Sequence, residues 1–366
     1  MLRKPLVHDP TTPENSIGAR VGSDDCSPLE APMTTTDDLA VIEPTGDARH
    51  GGAVASPSAA LAEDVLAGLT AHPRTLPPKW LYDARGSELF DAITRLEEYY
   101  PTEAERSILV ARAAEIVAAS GSDTLVELGS GSSDKTTALL DAMDESDQGL
   151  HRYVGFDVSA DALDGAAAVL SERYPDAAID TCLGDFDHDL DQISHDGRQL
   201  VAFLGGTIGN YEPLARGSFL TQVRSILQDG DMFLLGTDLV KGTDRLVAAY
   251  DDREGVTAAF NLNLLVVLNR ELGGDFDLDG WLHRAVWNDA EEWIEMHLVS
   301  TVDQEVRLDD LDLTLQFAAG EHIRSEVSAK FRPMRLDTEL QAAGLETVER
   351  WTDNAGDYAV TLAQPV

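Results

Sequence analysis

The chain has 366 residues, with 27 Lys and Arg residues against 66 Asp and Glu residues, so its formal net charge is −39 at pH 7. This charge argues against a protein that binds the backbone of DNA or RNA, which requires a basic face, and against docking on an anionic membrane surface. Hydrophobic residues make up 43% of the chain, which is ordinary for a globular protein. The length predicts two domains, or one large domain with an elaboration.

Cysteine and histidine usage predicts no metal site. The chain has two cysteines, Cys26 and Cys182, too few for a disulfide framework or a cysteine-based zinc site. The histidines show no H-x-x-x-H spacing. The N-terminus has no apolar segment typical of a secretory signal, and no apolar stretch approaches the length that spans a bilayer. We therefore expect a cytoplasmic protein.

The N-terminal part of the chain divides into a tail and a helical segment. Residues 1–55 are rich in Pro, Thr, Asp, Gly and Ser, and we expect them to be disordered because they offer too little apolar surface to offset the ordering entropy. Helical spacing of apolar residues follows at 58–69, 87–96 and 101–120. The prolines of LPPKWLYD (76–83) predict an extended piece between the first two helices.

Strand and helix patterns then alternate. The strand signals, each ending in a polar or glycine-rich turn, are TLVELGSG (124–131), RYVGFDVS (152–159), AIDTCLGDF (178–186), LVAFLGGTIGN (200–210) and DMFLLGTDL (231–239). Strands separated by helices predict parallel pairing with right-handed crossovers. The predicted fold class is α/β with a doubly wound, Rossmann-like sheet, whose ligands bind beyond the carboxyl ends of the strands.

The alternation breaks after residue 240. Two helical patterns and then antiparallel strand patterns occupy about 241–329, and we interpret this block as an insertion that caps the sheet. The remaining residues predict one helix and two strands that form a hairpin on the edge of the main sheet.

The turn after the first strand contains Gly129 and Gly131, which allow the backbone to approach a ligand closely. A G-x-G pair alone also occurs in ordinary strand-to-helix turns. The third glycine of a dinucleotide fingerprint is missing, since Ser133 and Asp134 stand in its place. The pattern therefore disfavours an NAD-dependent oxidoreductase.

The next two strands end in candidate nucleoside ligands. Asp157 can accept both hydroxyls of a ribose, and although Asp is also a common helix N-cap, Ser159 is the better cap here. Asp185 can accept the exocyclic amine of adenine, and Phe186 can flank the base. These three strand ends predict a nucleoside crevice without a pyrophosphate cradle, the arrangement expected for S-adenosylmethionine.

The fourth strand ends in GGTIGN (205–210). Asn210 can donate to a carboxylate and accept from an amine, but it is no strong base. The alternative is an asparagine in a left-handed turn.

Several motifs in order resemble the L-histidine Nα-methyltransferases of ergothioneine biosynthesis, from about Ser56 to the C-terminus. They are LPPKWLYDARGSELFDAITRLEEYYPTEAE, TLVELGSGSSDKT, FLGGTIGN, LLGTDLVKGTDRLVAAYDD, GVTAAFN and EVSAKF. The resemblance implies S-adenosylmethionine as donor, L-histidine as substrate, and three successive methylations of the α-amine that give hercynine. It implies a donor site of Gly129, Lys135, Asp157, Asp185 and Phe186.

The resemblance also implies a histidine site, with the Gly205 carbonyl near the amine and Asn210 and Tyr82 as candidate catalytic residues. The substrate-binding residues are Tyr99, Gly205, Asn210, Tyr250, Glu326 and Ser328. Residues 56–103 and 241–329 would form an α+β substrate-binding domain. Residues 104–240 and 330–366 would form a class I methyltransferase domain that binds S-adenosylmethionine.

The pair Glu326 and Ser328, two apart on one strand face, can both reach an imidazole, although such residues more commonly form an exposed strand face. Two alternative functions stay open: an N-methyltransferase for another amino acid such as tryptophan, and a non-catalytic module that binds S-adenosylmethionine. A carboxylate suits imidazole and sits badly beside a neutral indole. We expect a monomer, because no apolar stripe is left over after the domains are assigned.

Overall fold

The computed structural model describes residues 57–131, 135–186 and 188–366, with side chains from residue 59 onward. The disordered tail predicted for residues 1–55 lies outside the described residues. The helices are α1 (Pro57–Thr70), α2 (Ala84–Ile93), α3 (Pro101–Ser120), α4 (Thr137–Asp144), α5 (Ala160–Arg173), α6 (Pro213–Ile226), α7 (Thr243–Tyr250), α8 (Val256–Leu272) and α9 (Pro333–Ala342). The strands are β1 (Arg74–Thr75), β2 (Thr124–Leu128), β3 (Arg152–Asp157), β4 (Ala178–Leu183), β5 (Gln199–Phe203), β6 (Met232–Asp238), β7 (Trp281–Asn288), β8 (Trp293–Ser300), β9 (Gln304–Leu308), β10 (Leu313–Phe317), β11 (His322–Ala329), β12 (Leu345–Thr352) and β13 (Tyr358–Pro365).

The main sheet has seven strands in the order β12-β13-β6-β5-β2-β3-β4. The five strands from β6 to β4 are parallel, and β13 pairs antiparallel with β6 and with β12. The chain runs from β2 outward to β3 and β4 and returns on the other side of β2 as β5 and β6. This reversal opens a crevice beyond the carboxyl end of β2. The predicted α/β class, the parallel sheet and the edge hairpin are confirmed.

Both faces of the main sheet are covered. Alternate residues of β2 belong to two separate cores: Leu125 packs with α3 and α4 on one face, and Val126 packs with α6 and α9 on the other. Burial on both faces explains why the central strands β2, β5 and β6 are nearly continuous apolar runs and not alternating patterns, whereas the edge strand β4 is largely exposed. At the crevice, in contrast, polar side chains at the ends of the strands meet solvent.

A second sheet has four strands in the order β1-β11-β8-β7, with β1 parallel to β11 and the other neighbours antiparallel. Strand β1 comes from the N-terminal segment and the other three from the insertion, and a third apolar core packs this sheet against α1, α2 and α8. Strand β11 then leads to the main sheet, where Phe331 bridges Leu239. The division into two domains stays a prediction.

The structure differs from the expectation for LPPKWLYD. Pro77 is extended, with φ −63° and ψ 140°, but a 3-10 helix follows at Pro78–Leu81. Proline at the first helical position lacks only an N–H that would have no partner there, and its fixed φ suits the turn. Asp83 then caps α2, since its Oδ1 accepts the backbone N–H of Gly86 at 2.8 Å.

Candidate functional site

The glycine turn after β2 and the end of β3 are joined directly. The backbone N–H of Gly131 donates to Asp157 Oδ2 at 3.1 Å, and the N–H of Gly129 donates to the Phe156 carbonyl at 2.8 Å. Gly129 and Gly131 have φ values of +74° and +49°, a region that favours glycine. Asp157 Oδ1 accepts the backbone N–H of Ser159 at 2.9 Å. Each oxygen keeps a further lone pair, so the carboxylate is fixed in position and can still accept a ribose hydroxyl.

Phe186 lies over this turn. Its ring stacks on Phe156 with centroids 5.7 Å apart, and a Cβ atom added to Gly129 would lie 3.2 Å from its Cζ. The backbone N–H of Asp185 donates to Asp189 Oδ2 at 2.9 Å, which fixes the loop that presents Asp185 and Phe186. A glycine cradle, an anchored carboxylate and a half-buried aromatic ring fit the ribose and base of S-adenosylmethionine. As predicted, Ser159 caps α5, its Oγ accepting the N–H of Ala162 at 3.3 Å.

Lys135 reaches the turn after β5 through a buried carboxylate. Its Nζ lies 2.8 Å from Glu105 Oε2, and the backbone nitrogen of Gly205 lies 2.8 and 2.9 Å from the two oxygens of the same carboxylate. The hydroxyl of Tyr358 donates to Glu105 Oε1 at 2.7 Å. Glu105 is fully buried. One carboxylate thus ties a predicted donor-site lysine to a predicted substrate-site glycine.

Asn210 ends a 3-10 helix at Thr207–Asn210, so it does not occupy the left-handed turn considered as its alternative. Its Nδ2 donates to the carbonyl of Val327 on β11 at 2.8 Å. The same amide group hydrogen-bonds the Glu326 carboxylate. Burial raises the pKa of this carboxyl, and the hydrogen bond from Asn210 lowers it by a smaller amount. Asn210 therefore joins the main sheet to the second sheet at the predicted substrate site.

Glu326 is buried, with 7% of its surface exposed, so the alternative of an exposed strand face is wrong. Burial raises the pKa of this carboxyl to about 7, while Lys330 and the Asn210 amide partly offset the effect. A carboxyl that is only partly ionised near neutral pH gains most from a bound cation or N–H donor. Neutral imidazole offers one N–H donor, and imidazolium offers N–H donors together with a positive charge.

An aromatic wall encloses the same region. Tyr82 makes edge contacts with Phe90 and Phe260, each with ring centroids 5.4 Å apart, and Tyr99 contacts Tyr250 at 5.9 Å. Tyr82 keeps 41% of its surface exposed, so its ring borders solvent. Desolvation of its hydroxyl, followed by the nearby Glu326 carboxylate, raises the pKa of the Tyr82 phenol. The phenol is thus a hydrogen-bond donor at neutral pH and a poor general base.

Tyr250 and Ser328 form one cluster with Lys330. The Tyr250 hydroxyl lies 2.8 Å from Ser328 Oγ, and Lys330 Nζ donates to the two oxygens at 2.8 and 2.9 Å. Lys330 Nζ also lies 2.9 Å from Asp238 Oδ2 at the end of β6. The structure thus brings together all of the substrate-site residues predicted on the second sheet and α7.

Three buried charged residues of this region were missed by sequence reasoning: Glu105, Asp238 and Lys330. Asp238 ends a parallel strand, as Asp157 does, so the rule that found Asp157 could have found it. Lys330 continues the two-residue spacing of Glu326 and Ser328. Glu105 stands in a helix with no local pattern that marks it.

Among residues 57–131, 135–186 and 188–366, no group of His, Cys, Asp and Glu side chains is arranged to hold a metal ion. In the same ranges, no helix is both long and apolar enough to cross a membrane. The assignment of individual site residues to donor and substrate stays a prediction.

Comparison with known proteins identifies the family of this chain. The family described as histidine-specific, SAM-dependent methyltransferase matches residues 61–365. A histidine N-alpha-methyltransferase from Mycolicibacterium smegmatis is 56% identical over 308 residues, which are 84% of this chain and 96% of that protein. A histidine N-alpha-methyltransferase from Mycobacterium tuberculosis is 53% identical over 304 residues, 83% of this chain and 94% of that protein. The ergothioneine biosynthesis protein 1 of Neurospora crassa is 29% identical over 300 residues, 76% of this chain and 32% of that protein.

Proposed function

We propose that this chain, which belongs to the family of histidine-specific, S-adenosylmethionine-dependent methyltransferases, trimethylates the α-amine of L-histidine to hercynine in ergothioneine biosynthesis. The family membership confirms the resemblance inferred from the sequence motifs, and the chain is an enzyme. The observation that best supports histidine as the substrate is the buried Glu326 carboxyl beside Asn210, Tyr250 and Ser328.

The donor would be held at the ends of β2, β3 and β4. Asp157 would accept the ribose hydroxyls, Phe186 would flank the adenine, and Asp185 would accept its exocyclic amine. Because Gly129 has no side chain, the protein backbone at this position could approach the donor closely. Lys135 would lie at the opposite end of the crevice, against Glu105. When bound, S-adenosylmethionine supplies a methyl group carried by a positively charged sulfur. Transfer of the methyl group leaves the sulfur as a neutral thioether.

The substrate residues would act mainly by positioning, which can contribute most of the catalysis of a displacement at a good leaving group. The amine must present a lone pair. The Gly205 carbonyl and the Asn210 amide oxygen can accept its N–H groups, and the Tyr82 phenol, protonated at neutral pH, lies close enough to Glu326 to border the same space. Tyr99 and Tyr250 would enclose the backbone of the amino acid.

Glu326 would select the side chain. Imidazole can take up a proton near neutral pH and then gives the buried carboxylate a cationic partner in addition to the Asn210 amide, whereas the indole of tryptophan offers one N–H and no charge. Leaving a buried carboxylate without a matching partner costs free energy, so histidine is favoured over the tryptophan alternative. Ser328, on the same strand face, would bond the second ring nitrogen.

Incubation of the full chain with methyl-labelled S-adenosylmethionine and a panel of amino acids, read by mass spectrometry, tests the proposal. We expect mono-, di- and trimethylated products from L-histidine and little product from L-tryptophan. Donor binding without turnover of any amino acid would establish the non-catalytic module instead. Faster turnover of another amino acid would overturn the substrate assignment. The monomeric state and the cytoplasmic location stay predictions.

A further inference from the structure

Strand β11 contains one extra residue, Ser325, relative to its neighbour β8. Arg324 pairs with His297 of β8. Glu326, two residues later, pairs with Met296, which is only one residue away from His297 on β8. Such a β-bulge changes the face on which the following side chains lie, because side chains alternate between the two faces of a regular strand. The register of β11 therefore shifts directly before Glu326.

The bulge turns Glu326 toward the predicted imidazole site. Ile323 and Val327 are four residues apart and would share a face of a regular strand, yet Ile323 belongs to the core of the second sheet and Val327 to a core of the main sheet. Glu326 lies opposite Met296, which belongs to the same core as Ile323, and directly opposite residues of two strands share a face. Without the extra residue, Glu326 would lie on the other face, with Arg324.

Asn261 of helix α8 holds the bulge. The Ser325 hydroxyl lies 2.5 Å from Asn261 Oδ1 and 3.1 Å from the Met296 carbonyl. A hydroxyl has a single proton, and the shorter contact makes Asn261 Oδ1 its main acceptor. Ser325 and Asn261 are both fully buried, so water does not compete for this hydrogen bond. The bulge is thus joined to α8 by one buried side-chain contact.

The other contacts of Asn261 fix the orientation of its amide. Its Nδ2 lies 3.1 Å from the His297 carbonyl and 2.9 Å from Nδ1 of His283 on β7. His283 Nε2 lies 2.8 Å from the Tyr250 carbonyl, which can only accept, so the imidazole proton is on Nε2 and Nδ1 is an acceptor. Burial lowers the pKa of His283, which favours this neutral ring. A reversed Asn261 amide would set its oxygen against the His297 carbonyl, so the oxygen faces Ser325.

We propose that Ser325 and Asn261 are positioning residues for substrate selection: their hydrogen bond fixes the β-bulge that directs Glu326 at the imidazole of L-histidine. Both residues act through Glu326 and not by contact with the substrate. This inference rests on the proposed function, because it takes Glu326 as the partner of the imidazole. The two residues should therefore affect recognition of the amino acid and leave the donor site unchanged.

The variant Ser325→Ala tests the inference, because it removes the hydroxyl and leaves the buried Asn261 oxygen without its donor. We expect the KM for L-histidine to rise by about 5- to 50-fold, as is typical when a buried polar group loses its partner. The affinity for S-adenosylmethionine, measured by calorimetry, should stay within about twofold of wild type. An unchanged KM for L-histidine would overturn the inference.

A double-mutant cycle separates positioning from a merely structural role. If Ser325 acts through Glu326, adding Ser325→Ala to Glu326→Ala should change the KM by less than about twofold, because the positioned group is already absent. Ser328, which lies on the same face, is held separately by Tyr250 and Lys330 and should not respond. An equal rise in KM with and without the Glu326 carboxyl would make Ser325 structural only and overturn the inference.

The matched control is Ser300→Ala at the end of β8. Ser300 is also buried in the second sheet, and its hydroxyl donates to the Val302 carbonyl at 2.8 Å. This variant should lose stability in urea unfolding but keep the wild-type KM. A rise in KM equal to that of Ser325→Ala would show a general effect of weakening the sheet and overturn the inference.

Should Ser325→Ala fail to fold, Ser325→Cys keeps a side chain of similar shape with only a weak donor, and the same cycle with Glu326→Ala gives the same two outcomes. Additive effects would overturn the inference while leaving the methylation of histidine intact. A wild-type enzyme that does not methylate L-histidine would overturn the proposed function itself, and this inference with it.

Discussion

Both carboxylate oxygens of Glu105 lie within hydrogen-bond distance, 2.8 and 2.9 Å, of the backbone nitrogen of Gly205, although the two residues are 100 positions apart in the chain. The same carboxylate lies 2.8 Å from Lys135 Nζ. Helix α3, the turn after β2 and the turn after β5 are therefore fixed to one another by a single buried group. This arrangement couples the predicted donor site to the predicted substrate site.

The variant Glu105→Gln tests that coupling. Loss of the buried charge leaves Lys135, whose side chain is 29% exposed, without its anion, and we expect a loss of about 1–3 kcal/mol in unfolding free energy, the usual cost of removing the partner from a charged hydrogen bond. Affinity for S-adenosylmethionine should fall with it. Urea unfolding and calorimetry measure the two effects. The control Glu103→Gln alters a carboxylate on the same helix that is 80% exposed, and should stay within about 0.5 kcal/mol of wild type. Matching stabilities for the two variants would contradict the assigned role of Glu105.

Two glycine-to-alanine substitutions should act in opposite directions. A Cβ atom on Gly236 in β6 would lie 2.2 Å from Glu105 Oε1 and 2.8 Å from the Tyr358 hydroxyl, so Gly236→Ala must displace the carboxylate. We expect a loss of activity and a loss of stability of about 1–3 kcal/mol, as for other overpacked sites. Gly217 lies in helix α6 with nothing within 4 Å of an added Cβ. Gly217→Ala should therefore stabilise the protein by about 0.5–1 kcal/mol, and thermal unfolding of both variants tests the contrast.

Removal of the Glu326 carboxyl should weaken histidine binding selectively. Glu326→Ala deletes the group proposed to bond the imidazole, and we expect the KM for L-histidine to rise by about 10- to 100-fold. The affinity for S-adenosylmethionine should change less than twofold, since Glu326 lies on the second sheet. Glu305→Ala removes an exposed carboxylate on strand β9 and provides the control. Unchanged histidine kinetics in Glu326→Ala would rule out the role.

The pKa of Glu326 also predicts a pH dependence of stability. Burial raises the pKa to about 7 from an ordinary value of 4.5, so the folded state binds more protons than the unfolded state between these pH values. The contribution of the group to stability is therefore fully present below pH 4.5 and is lost as pH rises through about 7. Unfolding free energies of wild type and Glu326→Gln, compared across this range, should show wild type losing about 3 kcal/mol relative to the variant. A constant difference would show that Glu326 keeps its ordinary pKa.

Asp157 should determine the affinity for the donor. Asp157→Asn removes the charge and one acceptor position proposed to bind the ribose, and we expect S-adenosylmethionine to bind about 10- to 100-fold more weakly. Asp161→Asn changes an exposed acidic residue in the first turn of α5 and should leave donor affinity unchanged. Calorimetric titration of both variants decides between the ribose role and a purely structural role in the turn, which would leave donor binding near the wild-type value.

Much of the proposed donor half of the site follows from the sequence pattern. Asp157 ends the parallel strand β3, and Asp185 and Phe186 follow the parallel edge strand β4. The carboxyl ends of parallel strands meet at one edge of the sheet. The substrate half could not be predicted from spacing, because Tyr99, Tyr250 and Glu326 come from segments separated by more than 75 residues at each step. Their roles came from the resemblance, and the structure places them within one aromatic and polar cluster.

By itself, the sequence determined the α/β class, the succession of strands and helices along the chain, the edge hairpin and the polar strand ends, because hydrophobic period and glycine turns act over a few neighbouring residues. Only the tertiary structure decided that Glu105, Asp238 and Lys330 are buried and what each of them contacts. The local sequence pattern around a charged residue on a helix or at a strand end is the same whether the residue faces water or another ion. Its partner is chosen by the packing of elements that lie far apart in the chain, and that packing sets the charge balance of the site.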